Sequence, residues 1–160
     1  MSLLSGSKRS IIALALIFFS GGALLFAQEP PSTAICHQVK EIFERCGKAV
    51  VKIHGVDEHS EICGTGFFID PTGTLYTAYT VGGEAGNFTI EFAGKKYPAR
   101  QLLADIRSGT AILKIDETTP ALPIGKSEEM EVATPVVAVG YPLDLPETPN
   151  FGMIAGFDRK

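Results

Sequence analysis

Two cysteines and two histidines lie close together in the sequence and carry the donor atoms of a zinc site: Cys46, His54, His59 and Cys63. Zinc is bound in proteins by thiolate and imidazole groups. Structural sites usually take these ligands from close pairs such as Cys-x-x-Cys or His-x-x-x-His, and neither pair is present. The spacing therefore favours unrelated surface histidines and core cysteines, and we expect neither a metal nor another cofactor.

The cysteines could also do redox chemistry, because Cys36, Cys46 and Cys63 are an odd number of thiols. The sequence is compatible with one disulfide and one free thiol, and equally with three buried thiols. Asn87-Phe88-Thr89 matches the acceptor motif for N-glycosylation, although so short a motif often occurs by accident. The pairing of the cysteines is left open by the sequence.

The overall composition is that of a globular protein. Of the 160 residues, 45% are hydrophobic and 20% are charged, and the formal net charge is −4. A single domain is expected at this length. Because no basic run follows Arg9, we expect no binding to nucleic acid.

The N-terminus carries the pattern of an export signal. Lys8 and Arg9 precede an apolar stretch over residues 11–27, which is followed by polar residues and prolines. A short basic region, an apolar segment and a small residue before the cleavage point are typical of such signals. We predict that residues 1–27 are a signal peptide cleaved after Ala27, with an uncleaved anchor as the alternative. The protein is then periplasmic or extracellular, and it contacts the membrane only if residues 11–27 stay attached.

The chain after the signal predicts one helix followed by short strands. Residues 28–34 are predicted to be a linker, and a helical stripe of apolar residues runs from Ile35 to Cys46, with Ser32 or Thr33 as its cap. Six β-rich runs follow, separated by turn signals: Ala49–Ile53, Gly66–Ile69, Leu75–Thr77, Phe88–Phe92, Ala111–Ile115 and Val136–Val139. Short strands without helical crossovers favour an antiparallel sandwich or barrel. We therefore expect an all-β fold with one leading helix.

Four sequence patterns in the chain occur together, and in this order, in one protein family. They are Gly64–Asp70 with Gly73–Thr77, then Ala104–Ile115, then Leu122–Gly125 with Ala133–Gly140, and finally Pro146–Phe157. The first pattern resembles a G-S-G-x-x-I-D run that precedes a glycine turn. Together the four resemble the opening of trypsin-like serine proteases of the bacterial HtrA/Deg type. The resemblance implies that residues 35–160 form the leading helix and a single antiparallel β-barrel, like the N-terminal half of the trypsin-like double barrel.

The resemblance also locates the catalytic positions of the family. Serine proteolysis requires a hydroxyl nucleophile, an imidazole base and a carboxylate that orients the imidazole. The family's His position falls on Thr80 and its Asp position on Gly109. The family's nucleophile comes from a second barrel, which we expect to be absent. Since three histidines elsewhere match no catalytic position, we predict no catalytic residue in this chain: His37, His54 and His59.

These expectations describe an exported, catalytically inactive relative of trypsin-like serine endopeptidases that acts by binding. A lone first barrel would expose the apolar face that meets its partner barrel in the family. The resemblance thus implies self-association or a protein partner at that face, near Tyr141–Phe151. Two alternatives stay open: one part of a split or truncated HtrA-like serine protease, and a small envelope protein that binds metal or uses its thiols.

Overall fold

A leading helix, α1, covers Pro31–Cys46 and opens the part of the chain that the computed structural model describes, residues 31–56 and 60–157. The prediction of a linker over residues 28–34 is thus wrong from Pro31 onwards. Proline is compatible with the first helical turn, because an N–H group there has no partner within the helix. After α1, a short 3-10 turn over Gly47–Ala49 leads into the first strand.

Six antiparallel strands close into a barrel, which confirms the predicted fold, although the predicted run Val136–Val139 lies outside the barrel and one of the barrel strands was not predicted. They are β1 (Val50–Val56), β2 (Glu61–Phe68), β3 (Thr74–Ala78), β4 (Asn87–Phe92), β5 (Lys95–Asp105) and β6 (Thr110–Lys114). Their order around the barrel is β1-β2-β3-β6-β5-β4, and every neighbouring pair is antiparallel. A four-residue helix, α2 (Tyr79–Gly82), connects β3 to the segment before β4.

The barrel interior is filled by side chains that alternate along the strands, because successive residues of a strand point to opposite faces. The fully buried members of this core come from β1, β2, β3, β4 and β6 and from the residue after β6: Val51, Ile53, Phe68, Leu75, Ile90, Leu113 and Ile115. The intervening residues of β1, such as Lys52 and His54, are only partly buried. The outer face of β1 is therefore where its polar side chains lie.

The last two strands stand apart from the barrel. Strands β7 (Pro135–Gly140) and β8 (Thr148–Met153) pair with each other in a separate two-stranded sheet. The prediction of one barrel over residues 35–160 is corrected accordingly, because the barrel strands end at Lys114. The predicted signal peptide, residues 1–27, lies outside the described residues. Among the described helices, none is long and apolar enough to cross a membrane.

Candidate functional site

The two family positions predicted from the sequence lie side by side at one end of the barrel. Thr80 is exposed on α2, and Gly109 is exposed in the turn between β5 and β6, where its φ is +69°. The backbone N–H of Tyr79, next to Thr80, donates a hydrogen bond of 2.7 Å to the carbonyl oxygen of Gly109. The fold thus brings together two positions that are far apart in the sequence.

Helix α2 is held against the barrel by polar and steric contacts. The side-chain amide of Gln101, on β5, donates hydrogen bonds of 2.6 Å to the carbonyl oxygen of Gly82 and 3.1 Å to that of Gly83. A Cβ atom on Gly82 would lie only 2.6 Å from Cγ2 of Thr77. Because glycine has no Cβ, the helix can pack this closely against Thr77. The helix that carries Thr80 is therefore held on the barrel by Gln101 and by the close packing at Gly82.

No imidazole or carboxylate of the described residues lines the cavity beside Gly109. This cavity of about 370 Å³ is lined by Thr65, Phe67, Tyr76, Thr77, Ala78, Gly109 and Thr110. The nearby carboxylate of Asp105 accepts a hydrogen bond of 3.0 Å from the backbone N–H of Arg107, which lowers the pKa of Asp105. Asp105 thus stabilises its own turn. The polar side-chain groups that line this cavity are hydroxyls.

A second cluster of reactive side chains lies on the outer face of β1 and β2. His54 and Cys63 are directly opposite each other in the antiparallel register of these strands. The Sγ atom of Cys63 lies 3.3 Å from Nδ1 of His54 and donates a hydrogen bond of 3.0 Å to Oδ1 of Asp144. On the other side of the ring, Nε2 of His54 lies 3.5 Å from Oε2 of Glu91 on β4.

Asp144 reaches this cluster from a 3-10 turn, Pro142–Asp144, between β7 and β8. The carboxylate of Asp144 forms an ion pair with the ammonium group of Lys52 on β1. Lys52 also donates a hydrogen bond of 3.2 Å to the backbone carbonyl oxygen of Asp144. Hydrogen bonds from Cys63 and Lys52 lower the pKa of Asp144. Burial and the neighbouring Asp144 raise the pKa of Cys63 to about 11, so its thiol is protonated at neutral pH.

The four residues first considered as zinc ligands are only partly brought together. His54 and Cys63 are in contact, whereas Cys46 lies at the end of α1 and His59 lies outside the described residues. The expectation that these histidines and cysteines are unrelated is therefore wrong for His54 and Cys63. Sequence reasoning missed Asp144, which is 81 positions from Cys63.

The other candidate residues are dispersed over the surface. Cys36 and His37 are exposed on α1, and Asn87 of the glycosylation motif is exposed at the start of β4. Cys36, Cys46 and Cys63 all lie in the described part of the chain, and each is a free thiol there. The structure therefore has three unpaired thiols, of which Cys63 alone contacts both an imidazole and a carboxylate.

Comparison with known proteins identifies the family. The model for the trypsin-like peptidase domain matches residues 64–160, more than half of the chain. The chain belongs to the trypsin-like peptidase family. One relative is a protein from Halomonas elongata described as a probable periplasmic DegP-like serine endoprotease, and it is 31% identical over 132 residues. The match covers 76% of this chain and 28% of the relative. A protein of the same description from Pseudomonas fluorescens is 30% identical over 137 residues, covering 83% of this chain and 29% of the relative.

Two solved protease structures share the fold of this chain. The serine endoprotease from Yersinia pestis superposes with a TM-score of 0.68 at 25% identity, over 74% of this chain and 44% of that one. An HtrA-type protease with a bound tripeptide superposes with a TM-score of 0.71 at 22% identity, over 76% of this chain and 41% of that one, which supports the fold alone. The chain spans less than a third of the length of the two curated relatives named above.

Proposed function

We propose that this trypsin-like chain is catalytically inactive and acts by binding another polypeptide. One observation carries the proposal: the adjoining positions that the family resemblance assigns to the catalytic His and Asp hold Thr80 and Gly109. A threonine hydroxyl is not basic near neutral pH and cannot act as the general base. A glycine has no side chain to orient an imidazole, and loss of triad members costs orders of magnitude in rate.

His54 does not replace the missing base in this proposal. Its ring lies on the outer face of the barrel, where its two nitrogens face Cys63 and Glu91. Thr80 lies on α2, and the first residue of that helix, Tyr79, donates its backbone N–H to Gly109 in the β5–β6 turn. An imidazole acts as a general base only within hydrogen-bond reach of the nucleophile. The positions of these contacts therefore support inactivity of the chain.

The segment around β7 and β8 supports a binding role. Each of these strands pairs only with the other among the described strands, so each has an unpaired edge. Several large apolar side chains of this segment are exposed: Leu143, Leu145, Phe151 and Met153. Unpaired edges combined with exposed apolar groups are typical of surfaces that accept another polypeptide. We propose this segment, residues 141–153, as the partner surface, with a second copy of the chain as the first occupant to test.

The inactivity is tested by labelling the purified full chain with a fluorophosphonate probe and assaying cleavage of an unfolded protein substrate. We expect neither labelling nor cleavage above that of a heat-denatured control. An active trypsin-like protease handled in parallel verifies the probe and the substrate. Labelling of a serine or threonine in this chain at the rate of the active protease would contradict the proposal.

The binding role is tested by size-exclusion chromatography with light scattering. We expect the purified chain to self-associate, and the double variant Leu143→Asp, Leu145→Asp to do so at least about tenfold more weakly, because charge is then placed on the apolar surface. Leu102→Asp on β5 is the matched control, since Leu102 is 50% exposed and Leu145 is 54% exposed. A wild-type chain that stays monomeric, or equal weakening by Leu102→Asp, would refute self-association through residues 141–153.

The unpaired edges of β7 and β8 also favour a second candidate, one part of a split HtrA-like protease whose remaining strands lie in another polypeptide. A complex of this chain with such a polypeptide would have to react with the fluorophosphonate probe. Thr80 and Gly109 argue against that reaction, because neither residue supplies a general base for a nucleophile from the partner. Labelling of an isolated complex would support the split protease, and the absence of labelling would support the inactive binding protein.

A further inference from the structure

We propose that His54, Cys63 and Asp144 form a binding site for a divalent transition-metal ion, with Zn²⁺ as the ion that fits best. One ligand atom from each residue lies within 4.8 Å of the others, so a single ion can reach all three. Imidazole nitrogen, thiolate sulfur and carboxylate oxygen are the donor types that Zn²⁺ takes in proteins. This site does not involve the family's catalytic positions, and it shares Asp144 with the segment proposed as the partner surface.

The barrel fixes two of the three ligands before any ion binds. His54 and Cys63 are partners in the register of β1 and β2, and β1 is also paired along its other edge with β4. Side chains directly opposite each other on antiparallel strands lie close together on one face. The strand pairing therefore keeps these two side chains next to each other on one face, where the nitrogen and the sulfur lie 3.3 Å apart.

The surroundings of His54 orient its ring for coordination. Its Nδ1 atom faces the sulfur of Cys63, while its Nε2 atom is shielded from solvent and faces the carboxylate of Glu91 at 3.5 Å. In the tautomer with its proton on Nε2, that proton lies on the side of Glu91, without a hydrogen bond in this structure, and the free lone pair of Nδ1 is left for the ion. Histidine ligands commonly have such a carboxylate on their other nitrogen, which fixes the tautomer.

The charges around the cluster balance once an ion is bound. A divalent ion displaces the thiol proton of Cys63 to the solvent, which leaves a thiolate beside the carboxylates of Asp144 and Glu91. These three negative charges match the ion and the ammonium group of Lys52, which pairs with Asp144. Lys52 also donates to the backbone oxygen of Asp144, so it can keep that contact while the carboxylate turns towards the ion.

The cluster opens onto a cavity, which leaves room for a further ligand. The cavity has a volume of about 580 Å³ and is lined by the three proposed ligands together with residues such as Glu61, Thr89 and Lys96. Zinc sites with three protein ligands keep a fourth position for water or another exchangeable group. The geometry therefore points to a site with one exchangeable position that faces solvent.

The test is a titration of the purified full chain, freed of metal by a chelator, with Zn²⁺ against a chromophoric competitor. Co²⁺ is used as a spectroscopic probe for thiolate coordination. We expect one Zn²⁺ per chain and a Co²⁺–thiolate charge-transfer band in the near ultraviolet. Cys63→Ser should abolish the band, and Cys63→Ser, His54→Gln and Asp144→Asn should each weaken Zn²⁺ binding at least about tenfold, because each removes a ligand.

Matched controls carry the same chemical changes outside the cluster. Cys46→Ser and His37→Gln alter a cysteine and a histidine on α1, and we expect both to bind Zn²⁺ as the wild type does. Circular dichroism establishes that each variant is folded, and Asp144→Asn keeps the test valid if a strand variant unfolds, because Asp144 lies on an exposed turn. The proposal is overturned if the wild type binds no stoichiometric Zn²⁺, or if Cys63→Ser retains the thiolate band.

The carboxylate behind His54 provides a further discriminating variant. Glu91→Gln leaves all three ligands in place and removes only the charge that faces Nε2. We expect Zn²⁺ binding weaker by about 10- to 100-fold, the usual effect of removing such an outer partner. If Glu91→Gln and the ligand variants all bind as the wild type does, the ion is held elsewhere and the site is rejected.

Discussion

Asp70 shows how a single carboxylate fixes the turn before β3, the strand that leads to the family's His position on α2. Its Oδ1 atom accepts hydrogen bonds from the backbone N–H of Thr72 at 2.7 Å, the hydroxyl of Thr72 at 2.8 Å and the backbone N–H of Thr74 at 3.2 Å. Hydrogen bonds from the side chains of Thr74 and Thr72, together with those from their backbone N–H groups, hold the pKa of Asp70 well below its usual range. The ionised carboxylate therefore stabilises the turn between β2 and β3.

The stability of the fold should depend on pH through Asp70. Because its folded-state pKa is lowered, its contribution is present at neutral pH and is lost as the pH falls below about 4, the ordinary aspartate value, towards the lower folded-state value. We expect Asp70→Asn to lower the urea midpoint at pH 7 and to make the midpoint less dependent on pH in the acid range. Urea unfolding at a series of pH values measures this.

Asp116→Asn is the control for the loss of one negative charge, since the side chain of Asp116 is 88% exposed. If Asp70→Asn keeps the full acid sensitivity of the wild type, the hydrogen bonds of Asp70 do not stabilise the fold in the way proposed. The same result from both variants would assign the effect to net charge instead.

At the level of residues, local patterns located some positions and missed others for a physical reason. The resemblance to the family placed Thr80 by counting from Thr77 and Gly109 within Ala104–Ile115, and the fold brings these two positions together. The contact of His54 with Cys63 was also within reach of the sequence, because residues of a hairpin pair symmetrically about its turn. Asp144 was not, since its contact depends on how the turn between β7 and β8 packs on the barrel.

The hairpin of β4 and β5 shows both the strength and the weakness of prediction for whole elements. Ala93-Gly94 was recognised as a turn, and the structure confirms it with φ values of +49° and +72°. The second strand of the hairpin was missed because charged and polar residues interrupt its apolar ones, it contains Pro98, and its register shifts between Gln101 and Leu103. Period-two alternation is lost at such an irregularity. Pairing with β4 and β6 decides that this segment is a strand.

The same turn allows a stabilising substitution. Two-residue hairpin turns with positive φ at both positions favour Asn-Gly, whereas alanine is strained there. We expect Ala93→Asn to raise the free energy of unfolding by roughly 0.5–1 kcal/mol, measured by urea denaturation. Ala121→Asn, at an exposed alanine that lacks a positive φ, should have no such effect. A loss of stability in Ala93→Asn would show that the turn does not have this geometry in solution.

On the scale of the whole molecule, the chain combines a closed barrel with a hairpin whose edges are unpaired among the described strands. The buried apolar cluster consists of barrel residues with Ala85 and Ile115, whereas four large apolar residues of the hairpin region are exposed: Leu143, Leu145, Phe151 and Met153. An isolated two-stranded hairpin is at best marginally stable in water. The barrel therefore supplies most of the stability, and the hairpin region supplies Asp144 and the proposed partner surface.

This division predicts that a single substitution in the barrel core lowers the free energy of unfolding of the whole chain. Leu113 on β6 is fully buried in the core, so Leu113→Ala should lower the free energy of unfolding by about 2–5 kcal/mol through lost burial and the cavity left behind. Leu102→Ala on the neighbouring strand β5 is the matched control, and because Leu102 is half exposed we expect a loss below about 1 kcal/mol. Urea denaturation followed by circular dichroism compares the two. Equal losses would mean that the barrel core does not determine the stability of the chain.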